Sequence, residues 1–207
     1  MNGTALLPPC YLPPVGYLSV LMRYERVIID VHEHYVKQTY RNRCYVASPH
    51  GPTALTVPVA HPSPPPAMCE AALSEHGNWR HVHLTALDSY YRHTPYYDYY
   101  RDDLLPFYTA REESLADYDI GLLRLVCELA GIGWRAELST AYIPPQECAG
   151  IDDYRPLMTP KADPATAFPA YAPRPYYQVF ARRLGFLPHL SCIDLLLNMG
   201  PETPLYL

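Results

Sequence analysis

Apolar positions first gather in a four-residue run, residues 4 to 7, closed by Pro8-Pro9. A run this short and this apolar reads as a buried strand. After Pro13-Pro14, Val15, Leu18, Leu21 and Met22 recur at helical spacing. Proline suits the first turn of a helix, so the pattern predicts a helix from about Pro14 to Tyr24. Arg26-Val27-Ile28-Ile29-Asp30 is a β-branched run that ends in an acid. A strand, a helix and a strand of these lengths predict a parallel pair with a right-handed crossover. Asp30 then falls at the carboxyl end of its strand, where open α/β sheets place ligands.

The pattern next turns to alternation. Cys44-Tyr45-Val46-Ala47 and Leu55-Thr56-Val57-Pro58-Val59 read as two strands of a hairpin, with His50-Gly51-Pro52 as the turn. Residues 60 to 70 hold the run Pro62-Ser63-Pro64-Pro65-Pro66, with no periodicity to pack, and are expected to form a mobile loop. Trp79, His83, Leu87 and Tyr90 share one face of a helix that Asn78 would cap, running to about His93, before Pro95. A shorter helix opens at Tyr96 and ends near Tyr108. Ser114 and Asp117 form a capping signal for a helix with Leu115, Tyr118, Leu122, Leu125, Val126 and Leu129 on one face, ended by Gly131 and Gly133. Residues 135 to 140 read as a strand, and 141 to 175 as loop. Pro175 is expected to begin a helix carrying Tyr176, Val179, Phe180 and Leu184, closed by Gly185. A last helix, 191 to 199, carries a second capping pair at Ser191 and Asp194. No internal repeat is visible. The sum is one α/β domain spanning 1–207, with a small mixed, partly parallel sheet, helices packed around it and a helix-rich C-terminal half.

Composition adds three points. The chain has 207 residues and 49% hydrophobic content, enough for a real core. Its 24 prolines set rigid connections, and its 20 tyrosines offer apolar area with a hydroxyl, which suits a wet cleft. A formal net charge of -5, with no long basic run, argues against nucleic acid as a partner. No apolar run reaches transmembrane length, so no membrane insertion is expected, and no secretory signal is present. The six cysteines form no C-x-x-C pair, and with the other features they point to free thiols in a cytoplasmic protein. Cys10 has no evident base beside it and reads as a small packing residue.

Against the acidic background, residues 35 to 43 reverse the sign: Tyr35-Val36-Lys37-Gln38-Thr39-Tyr40-Arg41-Asn42-Arg43. Only two lysines occur in the chain, Lys37 and Lys161, where arginine is otherwise the cation. Lysine is a compact point charge or an amine that can lose its proton. Lys37, Asn42 and Arg43 are therefore the first candidates to bind an anionic group. Asp30 could orient Lys37, accept a proton or hold a metal-bridged phosphate, or else pair with a nearby arginine. His83 could act as acid or base, or be a hydrogen-bonded helix histidine. The pairs His32/His34 and His81/His83 lack a third ligand at a recognisable spacing, so no metal is assigned, and the residues name no cofactor. Standard phosphate loops are absent. On the last helix Ser191, Asp194 and Asn198 form a polar stripe. It could face a cleft, with Tyr177 and Gln178 lining the same side, and capping explains only the first two.

Three stretches, taken together, resemble the WbqC-like family. Pro9-Cys10-Tyr11-Leu12-Pro13-Pro14-Val15-Gly16-Tyr17 is similar to its opening Q-P-x-Y-x-P-W-x-G-Y-F. The run from Asp30 through Tyr35, Lys37, Asn42 and Arg43 to Val59 is similar to its next block. Tyr177-Gln178-Val179-Phe180, with Phe186 to Gly200, is similar to its closing block. The resemblance implies a transferase of surface-polysaccharide assembly, of the O-antigen type, that moves an amino-acyl (glycyl) or related acyl group to a sugar. Its partners would be a small-molecule donor with an anionic group and a sugar or glycan-precursor acceptor. Tyr11 and Tyr35 would join the substrate-binding residues. Asp30, Lys37 and His83 would carry the chemistry, with Tyr177, Gln178, Asp194 and Asn198 on the acceptor side. Many members open with His-Gln-Pro where this chain has Leu7-Pro8-Pro9, so another group would have to take any role of that histidine. A nucleotidyltransferase or ligase of the HUP type competes, without its His-x-x-His between Tyr11 and Leu18. So does a non-catalytic binding or assembly protein.

Overall fold

The structure, a computed structural model, describes residues 3–60 and 64–207. β1 (Thr4–Leu7), α1 (Val15–Arg23) and β2 (Arg26–Ile29) form the expected opening unit, with the strands parallel and Leu6 opposite Ile28. Ala5, Leu6 and Leu7 are fully buried, as are Val27 and Ile29. Strands apolar on both faces belong in the middle of a parallel sheet. Each fully buried leucine of this kind contributes about 1.5–3 kcal/mol. α1 is buried on nearly every side, and Met22, expected inside, is 40% exposed at its end. Gly16 is required there: a Cβ would lie 2.5 Å from the Phe168 ring.

β3 (Arg43–Ser48) and β4 (Gly51–Thr56) pair as an antiparallel hairpin. Its turn is the two residues Pro49-His50, tighter than expected, so the second strand begins at Gly51 rather than Leu55. α2 (Trp79–Tyr91) and α3 (Tyr97–Thr109) follow, then α4 (Leu115–Leu129). Ser114 caps α4 by accepting from the Asp117 N–H at 3.2 Å. Asn78 does not cap α2: its backbone is left-handed, φ 47°, and its side chain makes no capping bond. β5 (Ala136–Leu138) joins β2, and β6 (Ile151–Asp153) joins β1, both parallel. The sheet order is β5-β2-β1-β6. Parallel and antiparallel pairs are thus segregated into two sheets within the expected α/β architecture.

The stretch 141–175 was read as loop, yet it supplies β6 and the short helix α5 (Pro164–Ala167), capped by Asp163. The helix expected from Pro175 shrinks to one turn, α6 (Ala181–Leu184). Residues 172–178 form no helix or strand, and Gln178 grips Leu187 twice, donating to its carbonyl at 3.0 Å and accepting from its N–H at 2.9 Å. α7 (Cys192–Met199) is capped by Ser191 and ends at Gly200, φ 53°, against which the Tyr96 ring packs.

Residues 61–63 of the expected proline-rich loop lie outside the described residues. Its other half is anchored, not free: the N–H groups of Met68 and Cys69 donate to Glu33 and Val31, and the Tyr35 N–H donates to Pro66. None of the six cysteines is bonded to another. Among the described residues no helix is long and apolar enough to cross a membrane.

Candidate functional site

β2, β5 and β6 run in one direction, and the segments that follow them converge on a cavity of about 610 Å³. The cavity thus lies beyond the carboxyl ends of parallel strands, the usual ligand position in open α/β sheets. Glu33 to Thr39 form one wall, Tyr142 and Pro145 a second, and Asp153 to Lys161 a third. The first wall is a tight turn: Thr39 Oγ1 donates to the Val36 carbonyl at 2.7 Å, and Gln38 takes the left-handed φ of 60°. Glutamine seldom adopts that backbone. Here it sits beside Lys37 and holds it at the cavity.

Two buried ion pairs support this wall. Glu33 and Arg41 form a fork, with Arg41 Nε and Nη2 donating at 2.6 and 2.8 Å. Burial raises the Glu33 carboxyl above its ordinary value, against the pull of Arg41. Arg155 lies between two acids. Its Nη1 donates to Asp30 at 2.6 Å and to the Ile143 carbonyl at 2.7 Å. Its Nε and Nη2 donate to Asp153 at 2.9 and 2.8 Å, and Nη2 also reaches the Cys148 thiol at 3.5 Å. All five N–H donors of the guanidinium are therefore committed. Burial pushes the Asp153 carboxyl up, and Arg155 more than reverses it, holding Asp153 below the usual range.

Asp30 is fully buried and accepts from the His32 N–H, the Ser139 hydroxyl and Arg155. It lies behind the cavity wall, tied to Arg155, and Lys37 is not among its hydrogen-bond partners. Of the residues assigned to the site from the sequence, Lys37 alone lines the cavity directly. Asn42 and Arg43 fall past the bend and fasten the hairpin: Asn42 Nδ2 donates to the Val57 carbonyl at 2.7 Å, and Arg43 Nε donates to Thr56 Oγ1 at 3.0 Å. Tyr35 is buried behind the turn, and burial lifts its hydroxyl to about 12.

The remaining residues sit in the core. His83 shares a 2.9 Å hydrogen bond with the Tyr11 hydroxyl, which meets Tyr108 at 3.0 Å. Burial pushes His83 down to about 4, so it is neutral at pH 7. Asp194 does not reach back to cap α7. It accepts from Tyr91 and Tyr176 at 2.6 Å each and from Gln178 at 3.2 Å. Asn198 turns its amide back to the Asp194 carbonyl at 2.7 Å. The final helix and the basic stretch were expected to border one cleft, yet the cavity wall includes no residue of α7, because the polar stripe is consumed inside the core. Tyr177 is 55% exposed and also lies off the cavity wall.

A match to the WbqC-like protein family covers residues 8–152. The chain belongs to the WbqC-like protein family. An uncharacterized protein of Mycobacterium tuberculosis (strain ATCC 25618 / H37Rv), Rv1507c, is 26% identical over 230 aligned positions, spanning 100% of this chain and 98% of the relative. No solved structure gives a significant match.

In this WbqC-like chain the opening and closing blocks interlock. The Val15 N–H, first of α1, donates to the Leu190 carbonyl at 3.0 Å. The Cys192 N–H, first of α7, donates to the Pro13 carbonyl at 2.7 Å, and Ser191 Oγ donates to Leu12 at 2.6 Å. Each block satisfies donors that the other's helix start would leave unpaired. Other cavity residues were not assigned to a site from the sequence: Arg41, Tyr142 and Arg155, with His34 weighed only in a metal pair and Lys161 noted only as a rare lysine. Only Lys161 carried a usable signal, as the second of two lysines. Among the described residues no group of three or more His, Cys, Asp or Glu side chains could hold a metal ion.

Proposed function

We propose that this chain is a transferase of surface-polysaccharide assembly, of the O-antigen type, moving an amino-acyl (glycyl) or related acyl group onto a sugar. One observation carries the reading: both lysines of an acidic, arginine-rich chain line a single cavity beyond the carboxyl ends of the sheet. Neither lysine forms a salt bridge among the described residues. Lys37 and Lys161 hold the anionic group of the activated substrate, by charge-assisted hydrogen bonds. Asp30, Arg155 and Glu33 keep the walls in place. Among the described residues His34 is the one imidazole on the wall, and it takes the proton. In that step a sugar hydroxyl oxygen bonds to the acyl carbon, the bond to the leaving group breaks with its electron pair, and the hydroxyl proton passes to His34.

A binding protein without turnover is favoured by a different observation. The carboxylates at this cavity, Glu33 and Asp153, are each tied to an arginine, which leaves little free acid–base equipment. The two readings separate in one experiment. The purified chain is screened by thermal shift against nucleotides, nucleotide sugars and acyl donors, and each stabilising pair is then incubated and analysed by mass spectrometry for acylated sugar. Product that disappears in Lys37→Met and His34→Gln supports the transferase. Stabilisation without product in any pairing supports the binding protein.

A further inference from the structure

The charges on the cavity wall restrict what can fill it. Arg155 has no donor left to offer, and Arg41 keeps only Nη1, since Glu33 takes Nε and Nη2 and the Arg155 carbonyl also accepts from Nη2. The carboxylates are saturated from within: Asp30 by the His32 and Ile143 N–H groups, Ser139 and Arg155, and Asp153 by the Arg155 N–H and guanidinium. Two exposed ammonium groups remain, Lys37 on the wall after β2 and Lys161 on the wall after β6. A single carboxylate or a phosphodiester brings one negative charge to two lysines, and a phosphomonoester brings about two on one phosphorus. A pyrophosphate diester carries two, on adjacent groups, and can meet a lysine from each side.

Tyr142 supplies the second constraint. It is 45% exposed and is the one phenol on the wall. The Arg155 guanidinium lies 5.5 Å from its ring centre, and the His34 ring lies 6.1 Å away at 45°. The ring is therefore flanked, with much of its surface open to the cavity. An open aromatic face beside a cationic groove stacks a nucleic base. A volume of about 610 Å³ falls within the range of small-molecule sites.

We infer that the activated substrate of this cavity is a nucleoside-diphosphate ester, its pyrophosphate bridged between Lys37 and Lys161 and its base laid against Tyr142. This rests on the cavity being the substrate site proposed above, with the nucleotide taken as the sugar's own. The sugar would then be modified while still attached to its nucleotide, and a glycosyl transfer must consume the product, since that is the reaction class that releases a nucleoside diphosphate.

Calorimetry on the full chain tests this with uridine diphosphate, adenosine diphosphate, inorganic pyrophosphate, glucose 1-phosphate and acetyl phosphate. At least one nucleoside diphosphate is expected to bind tenfold or more tightly than pyrophosphate. Tyr142→Ala should erase that advantage and leave pyrophosphate unchanged. Lys37→Met and Lys161→Met should each weaken both ligands tenfold or more. Nucleoside diphosphates no tighter than pyrophosphate, or a Tyr142→Ala variant with undiminished preference, overturns the nucleotide while the anionic site stands. Binding of glucose 1-phosphate or acetyl phosphate with no response to either diphosphate does the same. No binding of any of the five, with the melting temperature of each variant unchanged, overturns the cavity reading as well.

Discussion

Two polar clusters in this chain are built alike and end differently. One surrounds Asp194 in the core and the other surrounds Asp30 beneath the cavity, and both aspartates are fully buried. Asp194 is met by neutral donors, two tyrosines and a glutamine, and burial raises its carboxyl above the ordinary value. Asp30 is met by an arginine whose remaining donors reach a second acid at the surface. The first cluster closes on itself and joins α2, α7 and the segment before α6. The second is also internally satisfied, but it holds up a cavity lined by two ammonium groups that form no salt bridge among the described residues. A buried polar stripe is therefore not in itself a sign of a site. What marks the site is charge left over after the internal bonds are counted.

Removing the arginine should break the second cluster with the largest effect. Arg155→Met leaves Asp30 buried without its cation, which costs about 3–5 kcal/mol of stability by denaturant unfolding. Arg155→Lys should recover only part of this, because one ammonium cannot replace the fork. A loss under about 1 kcal/mol would show that water reaches Asp30.

The core side is tested by pH. His83 is lowered from 6.5 to about 4 by burial. A depressed histidine binds fewer protons folded than unfolded, so its contribution is full above pH 6.5 and is lost as pH falls toward about 4. The total is about 3 kcal/mol, at about 1.4 kcal/mol per pH unit. Glu33 and Asp194, both raised, act in the opposite sense. The check is therefore the difference between the native chain and His83→Gln, whose unfolding free energy should depend less on pH in that window. Parallel curves would place His83 in contact with solvent.

Asp194→Asn sharpens the comparison at its centre. The amide keeps the shape, loses the charge and turns a donor toward other donors, at a cost of about 1–3 kcal/mol. Anion binding by the remaining folded protein should not change. A specific binding defect would connect the two clusters and overturn their separation.

Lys37→Met should have the smallest effect on stability, within about 0.5 kcal/mol. It should instead weaken anion binding by about 1.5–3 kcal/mol, roughly tenfold to a hundredfold. Unchanged affinity with unchanged melting temperature would leave Lys37 as a solvated surface residue.

Most of the secondary structure was legible in the order of residues. α1, α4 and α7 follow from apolar spacing with proline, serine and glycine at their ends, and β1, β2 and β3 from short apolar runs, because these signals are local. The fold class and the placing of Asp30 at a strand end followed from the same signals. What could not be read locally depended on partners far along the chain. Ile151-Asp152-Asp153 has no strand pattern and becomes β6 only because β1 offers an unpaired edge. Residues 175–180 carry a helical pattern, yet 175–178 form no helix because Gln178 and Tyr176 find better bonds with Leu187 and Asp194. Asp194 reads as a helix cap and is a core acceptor. Asn42 and Arg43 share a basic stretch with Lys37, but a bend at Gln38 and the start of β3 send them elsewhere. The rarity of lysine was visible from composition. That Lys37 and Lys161, 124 positions apart, line one cavity was decided by the parallel sheet, which brings the ends of β2 and β6 to the same edge.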